Sequence, residues 1–174
     1  MKRFFLLVLL LALCMPGFGA LSQKATPALT EADFSFVLDG VTYALGDPAA
    51  PMIEAVEKAY GLMQVLAVPS CLFQGEDKEF ESDEILLGTY PIGAGGADQL
   101  ESILFIGGEH ETSRGIRLGM RLEDVTAAYG GEYTLEEGEL IYVAEELLTM
   151  PELVFTFDLD TGLLVGFFMM RNSG

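Results

Sequence analysis

The sequence predicts an α+β fold of two tandem units, in each of which one helix packs on one face of an antiparallel sheet. Residues 115–130 pass from an extended piece through a glycine turn into a short amphipathic helix that ends at another glycine. Residues 40–61 repeat this pattern more loosely. Short apolar segments typical of strands follow each helix, and strands grouped beside a helix indicate the α+β class.

The N-terminus predicts export. Lys2 and Arg3 precede a continuous apolar run over 4–15. This run is shorter than the ~20 residues of a membrane-spanning helix and has the length of a signal-peptide core. We therefore predict a signal peptide over 1–22, no integral membrane span after its cleavage, and a secreted or envelope-associated protein.

Two details of the signal peptide stay open. Small residues allow cleavage after Ser22, which we favour because a polar run follows, or after Gly19. Cys14 would allow a lipid anchor, but Leu13 stands where a small residue normally precedes a lipidated cysteine. We therefore favour a cysteine that belongs to the apolar core of the signal peptide.

The first unit is predicted over 34–106, after a flexible polar lead over 23–33. Asp39-Gly40 is a strong signal for a hairpin turn. The strands of this unit are predicted over 34–38, 41–45, 62–68, 70–73, 78–82, 85–90 and 100–106.

The helix of the first unit is predicted to begin near 50–51. Met52, Val56 and Tyr60 fall at i, i+4 and i+8, so they share one face of the helix. Gly61 follows, where a left-handed residue is expected to end the helix.

The second unit is predicted over 107–174. In its helix, Leu122, Val125 and Tyr129 share one face, and Gly130 follows at the helix end. The strands after this helix are predicted over 132–135, 139–143, 153–157 and 163–170.

The two helices have similar entry and exit signals, which indicates internal repetition. The residues that carry the repeat are Gly40, Gly46, Tyr60, Gly61, Gly115, Gly119, Asp124, Val125, Tyr129 and Gly130. The alternative is a chance similarity between two capped amphipathic helices.

The second copy carries a resemblance to a known fold. With Gly119-Met120 before the helix, Val125 within it and Gly130 after it, it resembles the unit of β-lactamase-inhibitor-protein-like folds and of small outer-membrane-assembly lipoproteins. The resemblance implies two such units over most of the mature chain and, by analogy, binding of other proteins through the exposed sheet face. Arg121 departs from the Ser or Thr of that pattern, and the disulfides of the inhibitor proteins are impossible here.

The acidic composition limits the partners. The formal net charge of −18 becomes −20 once Lys2 and Arg3, the charged residues of 1–22, are removed. Binding a phosphate backbone requires a basic surface, so nucleic acid is excluded as a partner. The charge indicates solubility or, alternatively, a basic partner protein that the acidic field attracts.

No catalytic residue, metal site or cofactor is predicted. Cys71, the one cysteine of the mature chain, lies in an apolar run over 69–73, which predicts a buried side chain rather than a nucleophile. His110, the single histidine, lies in a polar connection over 107–112. This context predicts a surface histidine without the positioned nucleophile that a general base requires.

Two alternatives to a binding function remain. The acidic run over 76–84 or the turn over 158–162 would supply oxygen ligands to a calcium-stabilised domain, although the turn lacks the closing Glu of a calcium loop. A small secreted hydrolase would require two converging carboxylates.

The favoured function is a non-catalytic module that binds another protein at the cell envelope or outside the cell. Aromatic residues are enriched at the hot spots of protein interfaces. The candidate interface residues, predicted to be exposed, are Phe73, Phe80, Tyr90, Tyr133 and Tyr142.

Overall fold

The computed structural model describes residues 28–93 and 96–171, so the predicted signal peptide lies outside the described residues. A 3-10 helix over Glu31–Phe34 comes first. It is followed by β1 (Ser35–Leu38), β2 (Val41–Ala44), α1 (Ala49–Tyr60), β3 (Met63–Pro69), β4 (Glu76–Glu81), β5 (Ile85–Pro91) and β6 (Asp98–Phe105). The remaining elements are α2 (Leu122–Tyr129), β7 (Thr134–Glu136), β8 (Glu139–Val143), β9 (Glu152–Phe157) and β10 (Leu164–Met170).

Eight strands form one antiparallel sheet in the order β3-β4-β5-β6-β10-β9-β8-β7. Each helix is followed by four strands that pair with their neighbours in sequence, and the two groups meet where β6 pairs with β10. β1 and β2 form a separate hairpin. Two helices beside a predominantly antiparallel sheet make this an α+β fold, as the sequence predicts.

The β1–β2 hairpin forms at the predicted Asp-Gly pair. Leu38 pairs with Val41, which leaves a two-residue turn between them. Asp39 and Gly40 both have positive φ, at 50° and 79°. A type I′ turn requires positive φ at both central residues, which Asp and Gly tolerate better than most residues.

Both helices contribute to one hydrophobic core against the sheet. Phe105, Phe155 and Phe167 are its largest fully buried side chains, and they come from three adjacent strands. The rings of Phe105 and Phe167 stack with centroids 4.6 Å apart. The helix residues buried in this core are Ala49, Met52, Val56, Val125 and Tyr129.

Each helix begins at the same kind of junction with the sheet. Gly46 N–H donates to Leu100 O at 2.8 Å, and Leu100 N–H donates to Asp47 O at 2.9 Å. At the start of α2, Gly119 N–H donates to Leu164 O at 2.8 Å, and Leu164 N–H donates to the carbonyl of the residue after Gly119, also at 2.8 Å. A glycine thus ties the start of each helix to the last strand of its own half.

Glycines end both helices as the sequence predicts. The N–H groups of Gly61 and Gly130 donate to carbonyls four residues earlier, at 3.0 Å and 2.8 Å. At the start of α2, the N–H of Arg121 donates to the Asp124 carboxylate at 3.0 Å. This side-chain hydrogen bond gives the helix half of a capping box although Arg stands at the N-cap.

The strand predicted over 70–73 is wrong, because the chain turns there. Ser70 Oγ accepts hydrogen bonds from the backbone N–H groups two and three residues later, at 3.4 Å and 3.3 Å. Such local side-chain bonds compete with strand pairing. Cys71, predicted to be buried, is exposed in this turn.

The described part of the predicted lead, residues 28–33, forms hydrogen bonds with the rest of the chain. Asp33 is buried and accepts hydrogen bonds from Arg114 and Ser113 of the second half. The N–H of Thr30 donates to the same carboxylate at 2.8 Å. A buried carboxylate requires such partners, and here they fasten the N-terminal segment to the connection before α2.

Candidate interaction surface

The sheet has a second face, opposite the helices, which we call the open face. Side chains alternate between the two faces of a strand, so residues next to the core positions point to the open face. The register brings five of them side by side across five adjacent strands. This open-face row consists of Leu86, Leu104, Phe168, Val154 and Ile141.

The open-face row is apolar throughout. Val154 is only 2% exposed, although it does not belong to the core beneath the helices. The other four side chains are half-buried, because each lies between neighbours on adjacent strands. Antiparallel sheets commonly place polar residues on the face away from the core. A continuous apolar row at this position is therefore a candidate contact surface.

Carboxylates surround the open-face row. Glu81 pairs with Leu86 and so extends the row at one end with a negative charge. In the described strands, the positions that point to the open face include no Lys or Arg. The carboxylates that share this face are Asp77, Glu79, Glu81, Glu136, Glu139 and Glu152. The face thus presents an apolar centre within an acidic rim.

Phe73 and Tyr90, two of the predicted interface residues, lie against each other with ring centroids 5.3 Å apart. Phe73 is exposed in the 70–75 turn, but Tyr90 is only 7% exposed. The Tyr90 hydroxyl donates to Gln99 Oε1 at 2.5 Å and accepts from the guanidinium of Arg171. The predicted exposure of Tyr90 is therefore wrong, because its hydroxyl has partners inside the protein.

Tyr133 and Tyr142 form a second aromatic pair, with centroids 5.8 Å apart. Tyr133 is exposed, whereas Tyr142 is 2% exposed and belongs to the core beneath the helices. The Tyr142 hydroxyl donates to Gly130 O at 2.9 Å, and burial raises the pKa of this phenol. The predicted exposure of Tyr142 is wrong. Phe80, also predicted to be exposed, is half-buried against the same core.

The five predicted aromatic residues therefore do not form one surface. Phe73 and Tyr90 lie near β4 and β5, while Tyr133 and Tyr142 lie beside β7 and β8, at the other end of the sheet. The open-face row was not predicted from the sequence. Its signal is the adjacent apolar pairs, such as Phe167-Phe168, which place one large side chain on each face of a strand.

His110 is buried, so its predicted surface position is wrong. Its ring lies 5.3 to 5.4 Å, centroid to centroid, from those of Phe36, Tyr60 and Phe105. Its Nε2 lies 2.9 Å from a carboxylate oxygen of Glu84, which provides the polar partner that a buried imidazole requires. His110 thus joins the first hairpin, α1 and β6.

The turn considered for calcium uses its first carboxylate internally. Asp158 Oδ1 accepts hydrogen bonds from the backbone N–H and the hydroxyl of Thr161, both at 2.7 Å. These bonds lower the pKa of the Asp158 carboxyl. Among residues 28–93 and 96–171, no group of three or more His, Cys, Asp or Glu side chains is arranged to hold a metal ion.

Within the part of the chain that the structure describes, no helix is long and apolar enough to cross a membrane. Comparisons of the chain with protein-family models, with curated proteins and with solved structures found no match.

Proposed function

We propose that this chain is an exported, non-catalytic module that binds another protein through the open face of its sheet. The partner surface has an apolar ridge that covers the open-face row, flanked by Lys or Arg side chains that meet the acidic rim. Export rests on the signal peptide predicted over 1–22.

The single observation that carries the proposal is the alignment of Leu86, Leu104, Phe168, Val154 and Ile141 across five strands. Covering apolar surface contributes about 25 cal/mol per Å² removed from water, so covering the exposed parts of the four half-buried side chains favours association. The carboxylates around it attract a basic partner and accelerate encounter more than they increase affinity. Because charges on the rim are solvated, salt weakens this attraction.

The tandem-repeat architecture belongs to the same proposal. Two features support it: the sheet order, in which β6 and β10 close two groups of four strands, and the matching junctions of Gly46 with Leu100 and Gly119 with Leu164. Both are consistent with the resemblance to β-lactamase-inhibitor-protein-like folds and small outer-membrane-assembly lipoproteins. By analogy with that fold, the sheet face is where a partner protein would bind.

The test uses the mature chain, residues 23–174, immobilised and exposed to envelope and secreted proteins of its own source at low and high salt. Phe168→Asp places a charge in the middle of the open-face row, and Ile141→Thr makes a milder change that retains a strand-forming residue. Leu148→Asp, at a fully exposed loop position, adds the same charge away from the sheet.

We expect one salt-sensitive partner that both row variants lose and Leu148→Asp retains. Circular dichroism must show folded protein for every variant compared. A partner that binds Phe168→Asp and Ile141→Thr as well as the unmodified chain would exclude the open face as the binding surface.

A further inference from the structure

The two edges of the sheet differ in a way that the open face does not explain. At one edge, β7 is three residues long and ends in Glu136, and Glu137 follows it. A short edge strand and charged side chains on it both prevent pairing with a strand of another chain. At the other edge, β3 is seven residues long and contains no charged residue. β3 carries two milder devices, a register irregularity between Gln64 and Leu66 and Pro69 at its last position. The edge at β7 is therefore the better protected of the two.

The side chains of β3 are exposed along its whole length. Met63 is 71% exposed, and Val65, Leu66 and Val68 are exposed as well. Among the described strands, β3 pairs with β4 on one side only, so the backbone groups of its outer side have no strand partner there. In a chain with a formal net charge of −18, this strand of uncharged, mostly apolar residues differs from the acidic composition of the rest.

A row of carboxylates lies one strand inward. Asp77, Glu79 and Glu81 of β4 stand opposite Val68, Leu66 and Met63, respectively, so they share the open face. Along a strand, alternate residues lie about 7 Å apart, and these like charges repel one another. Glu79 and Glu81 are exposed and form no ion pair within the described residues. Asp77 Oδ1 is buried and has no hydrogen-bond partner there.

We propose that β3 accepts an extended segment of the partner protein as a ninth strand, and that this segment carries Lys or Arg at alternate positions. The inference rests on the basic partner of the proposed function and specifies how part of that partner binds.

The geometry explains this pattern of charges. A strand added outside β3 lies two strand spacings, about 10 Å, from β4. Lys and Arg stems can lie along apolar surface while their charged ends reach further. Stems from the added strand would therefore cover Met63, Leu66 and Val68, and their charged ends would meet the carboxylates of β4. Backbone hydrogen bonds to β3 supply binding, and the alternating charges supply specificity.

The probe is a fluorescein-labelled eight-residue peptide of alternating Lys and Val, added to residues 23–174 at 150 mM salt. A second peptide has the same charge, but proline replaces two valines and removes their backbone donors. Fluorescence polarisation measures affinity, and amide shifts in NMR spectra locate the bound peptide. If the peptides bound only by electrostatic attraction to the acidic protein, the two peptides would have the same affinity, because their charges are equal.

We expect the proline peptide to bind at least about tenfold more weakly, with amide shifts centred on β3. Leu66→Lys should reduce binding of the Lys-Val peptide to a similar extent, and Leu148→Lys, which adds the same charge on a distant loop, should not. The double variant Glu79→Gln with Glu81→Gln should reduce the affinity for the Lys-Val peptide more than the affinity for an uncharged Thr-Val peptide.

Equal binding of the two charged peptides would overturn the proposal, as would amide shifts centred away from β3. A dimer in light scattering that Leu66→Lys dissociates would overturn it too, because a second copy would then occupy the edge. Phe168→Asp separates this inference from the proposed function. It should abolish capture of the whole partner and leave peptide binding unchanged. Capture of the partner therefore tests the proposed function, and peptide binding tests the added strand independently.

Discussion

Arg114 binds both carboxylate oxygens of Asp33, with Nε 2.8 Å from Oδ1 and Nη2 2.8 Å from Oδ2. The guanidinium also donates to Ala28 O at 3.0 Å and to Ala128 O at 3.2 Å, and it lies 4.6 Å from the centre of the Tyr129 ring. Bidentate pairs between Arg and a carboxylate are among the strongest hydrogen-bonded contacts in proteins. One side chain therefore connects the N-terminal segment to the end of α2.

Removal of one member of this pair should destabilise the fold strongly. Asp33→Asn leaves Arg114 largely buried without its counter-charge, and breaking a buried pair in this way costs about 3–5 kcal/mol. Lys78→Met, which breaks the more exposed pair with Asp98, should cost about 1 kcal/mol or less. Urea unfolding of both variants measures the difference, and equal losses would contradict the role assigned to Arg114.

The same pair should make stability depend on acid pH. Burial raises the pKa of Asp33, but hydrogen bonds from Arg114, Thr30 and Ser113 outweigh it and hold the pKa below its ordinary value of 3.8. The unfolded chain therefore binds the proton more readily than the folded one. The stabilisation is present above the ordinary value and is lost as pH falls through the lowered one.

Urea unfolding across a pH series tests this dependence. The advantage of the unmodified chain over Asp33→Asn should be constant at neutral pH and should shrink below about pH 4. An advantage that stays the same down to pH 2.5 would show that protonation of Asp33 is not linked to folding.

Tyr142 should act on stability, contrary to the binding role that the sequence suggests. Tyr142→Phe removes the hydroxyl that bonds Gly130 O and should cost about 1 kcal/mol. Tyr142→Ala also leaves a cavity in the core and should cost about 3–5 kcal/mol. Tyr133→Ala, at the exposed neighbouring ring, is the matched control, with an expected loss below either value. Thermal and urea unfolding of the three variants give this order or refute it.

The glycines at the two helix junctions should be intolerant of a side chain. Gly46 and Gly119 have φ of 87° and 83°, a region that costs other residues about 1–2 kcal/mol. An added Cβ at Gly119 meets open space, whereas one at Gly46 lies 2.7 Å from Arg171 Nη1. Gly46→Ala should therefore destabilise more than Gly119→Ala, because it also displaces Arg171 from Tyr90. Equal melting temperatures for the two variants would contradict this difference.

Sequence patterns identified most of the elements because their signals are local. The Asp39-Gly40 turn, the apolar helix faces and the glycines that end the helices depend on residues a few positions apart. The 70–73 segment was mispredicted because its composition suits a strand, whereas the Ser70 side chain stabilises a turn.

The candidate surface was harder to predict because it depends on strands that are distant in sequence. The register that aligns Leu104 of β6 with Phe168 of β10 has no local signal. Burial of Tyr142 is equally non-local, since its hydroxyl bonds a carbonyl at the end of α2. His110 lies in a polar stretch, but three aromatic rings from separate elements surround it.

The pairing of β6 with β10 has a consequence for how the chain folds. Every other strand pair in the molecule joins strands adjacent in the described chain, so each half can form its sheet through short loops. Joining β6 to β10 instead requires closure of a chain segment that contains the whole of α2 and β7–β9. Closure of a long loop costs more conformational entropy than closure of a short one, so we expect the β6–β10 pairing to form after the pairs within each group of four strands.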